Sequence, residues 1–120
     1  MNSIDDLTPE QQERYHELAD HWEYITGQLD IPYQPISIEP AWFDGDPVTI
    51  SAVSRNWGPR ITFRSFIPAA TPNACSEFLL IEDGDFRYTL EIRLNTIGVE
   101  RGIYLAKKAL ALFRAEQVGR

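Results

Sequence analysis

The chain has 120 residues, enough for one hydrophobic core and too few for two domains. Apolar residues make up 43% and charged residues 24%, ordinary globular values that exclude a disordered or low-complexity chain. The formal charge of −7 disfavours direct binding to nucleic acid or a membrane surface, and the single cysteine, Cys75, excludes an internal disulfide and a thiolate cluster.

That charge is unevenly placed. Residues 1–30 hold eight acids (Asp5, Asp6, Glu10, Glu13, Glu17, Asp20, Glu23 and Asp30) against one base, Arg14, so the remaining ninety residues are neutral overall. Met1 to Thr8 lack a basic stretch leading into an apolar one, and no segment approaches the ~20 apolar residues of a membrane span; a cytoplasmic protein is expected. Residues 1–7 are expected to be flexible.

Thr8-Pro9-Glu10-Gln11 reads as a helix start, with Thr8 as cap, Pro9 at the first helical position and Gln11 completing a capping box. Tyr15, Leu18, Trp22, Ile25 and Leu29 then form a helical seam running to about Leu29. Glu13, His16, Glu17, Asp20, Glu23 and Tyr24 project on the opposite face, with Gly27 nearby. Pro32 and Pro35 end the helix.

Extended segments follow at Ile36–Glu39, Val48–Ser54, Arg60–Ile67, Phe78–Glu82 and Phe86–Leu94, with Asp44-Gly45 and Asp83-Gly84 as hairpin turns. A turn at Asp83-Gly84 sets Ile81 opposite Phe86. It also puts Leu79 and Ile81 on the core face, and Phe78 and Leu80 on the polar face beside Thr89 and Arg87. With Phe66 added, that second face carries apolar surface that either the N-terminal helix or a partner must cover. A final helix is expected from about Ile97 to Val118, capped by Asn95 or Thr96. The expected fold is therefore a single α+β domain, an antiparallel sheet of about five strands in the order α-β-β-β-β-β-α.

No residue set announces catalysis. His16 and His21 are about 140° apart on the helix and cannot share a metal, so no metal site and no cofactor are expected. The acidic turns Asp44–Asp46 and Glu82–Asp85 lack the alternating ligands of a calcium loop and read as hairpin tips. Cys75 reads as a small buried hydrophobe.

Recognition chemistry is concentrated in two places. One is the anionic helix face with Glu13, Glu17, Asp20, Glu23 and Tyr24. The other is the Arg55-Asn56-Trp57-Gly58-Pro59-Arg60 segment, where Trp57 stands between Arg55 and Arg60, residue types enriched at binding hot spots. Arg101, Lys107, Lys108 and Arg114 of the last helix offer a way to neutralise the acidic helix within the molecule or across a homodimer.

The function expected is that of a small acidic non-enzymatic protein, an inhibitor, immunity factor or adaptor binding another protein with a basic surface. A phage-type inhibitor of a nucleic-acid-binding host complex is one example, by size and charge alone. A ligand-binding domain or enzyme with an apolar pocket lined by Trp42, Trp57, Tyr88 and Phe63 is the alternative from another class. A structural subunit or a secretion-chaperone-like protein is the third.

Overall fold

The computed structural model describes residues 7–39, 47–55, 59–83 and 89–118. Helix α1 (Pro9–Leu29) begins as its sequence dictates. The Thr8 hydroxyl accepts from the Gln11 N–H at 3.1 Å and the Gln11 side chain accepts from the Thr8 N–H at 3.1 Å, closing the capping box. Gln11 is itself buried and donates to the Ile67 carbonyl at 3.2 Å, so the same residue that starts the helix also ties it to the sheet. Leu7, expected to lie in the flexible terminus, is buried, and its carbonyl accepts from Gln12. The helix ends at Asp30, whose left-handed backbone (φ 54°) turns the chain toward the prolines.

Five antiparallel strands follow in a simple meander: β1 (Ser37–Glu39), β2 (Val48–Arg55), β3 (Arg60–Ile67), β4 (Ser76–Glu82) and β5 (Thr89–Arg93), each paired with its sequence neighbours. A 3₁₀ turn, Pro72–Ala74, precedes β4. The connection that would hold the Asp44-Gly45 turn lies outside the described residues, as do Gly84, Arg87 and Phe86.

Along β2 to β5 one set of alternate residues is buried and meets both helices. Ile50, Ala52, Ile61, Phe63, Ile67, Leu79, Ile81 and Ile92 join Leu18, Trp22 and Ile25 of α1, and Ile103, Ala106, Leu110 and Phe113 of the last helix, in one core. Trp22 and Phe63, both fully buried, stack with ring centroids 5.5 Å apart and planes 25° apart, and the Trp22 N–H donates to the Gln34 carbonyl at 2.7 Å. Both helices therefore lie on one side of the sheet, and α1 does not cover the face that carries Phe66, Phe78 and Leu80.

Two expectations fail on local geometry. Ile81 pairs with Leu90, not Phe86: the β4–β5 register is displaced by four residues. Because four is even, the residues keep their faces, but the neighbours of Phe78 and Leu80 become Arg93 and Glu91 instead of Thr89 and Arg87.

The C-terminal helix is likewise not continuous. A short α2 (Leu94–Ile97) is separated from α3 (Val99–Val118) by Gly98 at φ 89°, a conformation that only glycine adopts without strain. Asn95 consequently does not cap; its side chain accepts from the Glu77 N–H at 3.3 Å. Gly102 matters for a different reason, since a Cβ there would collide with the Leu94 side chain where α2 folds against α3.

Candidate functional site

The outer face of α1 is solvent-facing along its length. Glu13, His16, Glu17, Asp20, Glu23, Tyr24 and Gly27 are all exposed, while Leu18, Trp22, Ile25 and Leu29 of the opposite seam are buried. A helix of 21 residues presents this face over about 30 Å.

Arg14, the only Lys or Arg of the first thirty residues, pairs with Glu17 alone of the acids on that face. It sits on the helix flank with its side chain 21% exposed, between Glu17 on the same helix and Cys75 and Glu77 at the start of β4. Its guanidinium donates to the Cys75 sulfur at 2.9 Å and to Glu77 Oε1 at 3.4 Å. Burial acts to lower the Arg14 pKa, but the contacts with Cys75 and Glu17 outweigh it and hold the group above its ordinary value. Glu77, buried beneath α1, also receives His21 Nδ1 at 3.1 Å. Among the described residues, Glu13, Asp20 and Glu23 make no ion pair. A hollow of about 180 Å³ opens beside this flank, lined by Glu10, Glu13, Arg14, Glu17 and Pro72.

No ion pair joins α1 to α3 among the described residues, so the basic residues of α3 do not neutralise the acidic face within the molecule. Arg101 and Lys108 instead lie 5.0 and 4.9 Å from the ring centroid of Tyr104. Tyr24 bridges the two helices by donating to Glu100 at 2.5 Å.

That hydrogen bond, with smaller help from burial and from the Glu100 charge, raises the Tyr24 pKa; burial, then Tyr33, raises that of Tyr15, whose hydroxyl donates to the Ile36 carbonyl at 3.3 Å. A folded-state pKa above the unfolded value of about 10 gives stability that is complete below that pH and lost as pH rises through the folded value. Urea midpoints are thus expected to fall as pH rises above about 10, and to fall less in a Tyr15→Phe/Tyr24→Phe variant. Equal falls in both proteins would remove the phenols as the cause.

The second group of predicted residues lies elsewhere. Arg60 opens β3 on the sheet face turned away from the helices and donates from Nε and a terminal nitrogen to Glu82 Oε1 at 3.2 and 2.8 Å, across the Arg60–Glu82 strand pair. Arg55 ends β2 opposite it. Trp57 lies outside the described residues, as do Trp42 and Tyr88. The sheet thus separates Arg60 from Glu13, Glu17, Asp20, Glu23 and Tyr24, and the structure does not bring the two groups into one site. Phe63, expected to line a pocket, is in the filled core against Trp22.

The register shows what the helix-free face presents. Thr49, Phe66 and Ser76 lie in one cross-strand row; Ser51, Arg64, Phe78 and Arg93 in the next; Val53, Thr62, Leu80 and Glu91 in the third. The Phe66 and Phe78 rings meet edge to face with centroids 6.1 Å apart. A shallow concavity of about 170 Å³ is lined by Arg64, Phe66, Phe78, Leu80 and Glu91.

Sequence reasoning missed the cluster of Arg14, His21, Cys75 and Glu77, whose members are up to 63 residues apart. The only local hint was a lone arginine on an otherwise acidic helix. No described group of three or more His, Cys, Asp or Glu side chains is arranged to hold a metal ion, and no described helix is long and apolar enough to cross a membrane. No family model, no curated protein and no solved structure matches the chain.

Proposed function

We propose that the protein works without catalysis, as an inhibitor, immunity factor or adaptor that forms a stoichiometric complex with a protein presenting a basic surface. The observation that carries this reading is the outer face of α1. Among the described residues Glu13, Asp20 and Glu23 stand exposed without an ion pair, Arg14 being held at the helix flank by Glu17, Cys75 and Glu77. An anionic rod of this kind steers a basic partner and speeds association, and the effect weakens as salt shortens the screening length.

Reversing the charges with Glu13→Lys, Glu17→Lys, Asp20→Lys and Glu23→Lys tests it. All four side chains face solvent, so the variant is expected to fold with an unchanged circular-dichroism spectrum. Wild-type protein used as bait in a cell lysate is expected to recover one stoichiometric protein, less of it at high salt, and the reversed variant none. Recovery of the same protein by both baits would remove α1 as the docking surface, and nucleic acid as the recovered species would overturn the reading.

A further inference from the structure

We infer that the helix-free face of the sheet is a second docking surface, for a protein segment that presents a carboxylate beside an apolar side chain, with Arg64 as the residue that reads the carboxylate. The apolar part centres on β3 and β4. Phe66 is 37% exposed and meets the half-buried Phe78, with half-buried Leu80 next along β4, and Val53, 41% exposed, lies across Thr62 from Leu80. The register places all four on the side of the sheet that neither α1 nor α3 reaches. A patch of this kind on a folded domain is a usual mark of an interaction site.

The charges on this face decide what docks. Three arginines with described side chains lie on it. Arg60 holds Glu82, and Arg93 donates to Glu91 at 3.1 Å. Arg64, between Ser51 and Phe78 in the central row, has neither a hydrogen bond nor an ion pair among the described residues, and its Nε is buried without an acceptor there. A buried donor left without an acceptor is uncommon in folded proteins. An incoming carboxylate in the concavity that Arg64 lines with Phe66 and Phe78 pairs with a guanidinium charge that no described acid holds, and the neighbouring phenylalanines limit water around the pair. Among the described side chains, one available guanidinium matches one anionic group. A nucleic-acid strand, which carries a charge at every nucleotide, needs several unpaired bases along its path, and Glu82 and Glu91 occupy the other two. The occupant that fits is therefore a protein side chain.

The simplest ligand with this chemistry is N-acetyl-L-phenylalanine, which joins an aromatic ring to a carboxylate; N-acetyl-L-phenylalaninamide is the same molecule without the charge. Each is titrated into the full-length ¹⁵N-labelled protein at matched pH and ionic strength, and backbone amide shifts are followed. The acid is expected to move the amides of residues 64, 66, 78 and 80, with an affinity about tenfold above that of the amide, as one charge-assisted hydrogen bond implies. In Arg64→Gln that preference disappears while the remaining spectrum stays dispersed. Should Arg64→Gln unfold, Arg64→Lys, which keeps the charge and loses the planar fork, is expected to weaken acid binding and leave amide binding unchanged.

Equal binding of acid and amide, or no shift with either, would overturn the assignment. So would shifts on β3 and β4 caused by a thymidine oligonucleotide, or by raising the protein concentration alone; these would give the face to a nucleic acid or to a second copy. This experiment reads the sheet, whereas the charge-reversal experiment reads α1 on the other side of it. Either can fail without the other.

Discussion

Replacing Trp22 with alanine is expected to lower the unfolding free energy by about 3–5 kcal/mol, a large part of the roughly 5–15 kcal/mol that holds a domain of this size together. The residue has no exposed surface, and its ring stacks on Phe63 of the central strand β3. Removing it takes away the main side-chain contact between α1 and the middle of the sheet and opens a cavity among Leu18, Ile25 and Phe63 that rigid β-strands refill poorly. It also leaves the Gln34 carbonyl without its donor. Trp22→Phe separates these effects, because it keeps most of the packing and loses the N–H, at an expected cost of about 1–2 kcal/mol. Urea unfolding followed by circular dichroism measures both. A cost for Trp22→Ala no larger than that for Trp22→Phe would mean that the stacked pair is not what joins helix to sheet.

Glu77→Ala is the second substitution with a large expected cost, about 2–3 kcal/mol. Removing one member of a fully buried ion pair typically costs about 3–5 kcal/mol, since the other charge is stranded. Here Glu77 is 5% exposed at its side chain, but Arg14 and His21 are 21% and 37% exposed, so both cations regain some water when the carboxylate is lost. That partial rehydration lowers the figure, while the remaining contact of Arg14 with Cys75 stays in place. A double-mutant cycle between Arg14→Ala and Glu77→Ala is expected to give a coupling of about 1 kcal/mol or more. Additive losses would show that Glu77 acts through His21 and its packing, and that its pair with Arg14 contributes nothing.

Local patterns in the chain carried far. The limits of α1 were readable because Thr8, Pro9 and Gln11 make a capping box within four residues, and its buried seam because Leu18, Trp22, Ile25 and Leu29 repeat at helical spacing. The faces of β3 and β4 were readable from alternation alone. The β4–β5 register was not, because Asp83-Gly84 is a good turn dipeptide whether or not the chain turns there; Asp83 is in fact buried. The break at Gly98 was hidden by continuous apolar spacing on either side of it. Neither the Arg14–Cys75–Glu77 contacts nor the solitary state of Arg64 could be read locally, since each depends on residues brought together across the sheet from distant parts of the chain.

The sheet's margins constrain how anything can attach to it. On one side β1 is only three residues long and is bracketed in the sequence by Pro35 and Pro40, which lack the N–H a neighbouring strand would need. On the other, β5 carries Glu91 and Arg93 and runs straight into α2, so its hydrogen-bonding row stops after a few residues. Short, charged and proline-flanked margins resist the addition of a further strand, whether from a partner or from a misfolded copy of the same chain. Contact through backbone zippering is thereby disfavoured at both ends of the meander. Any docking is therefore expected to run through side chains, and the same margins disfavour growth into extended cross-β aggregates.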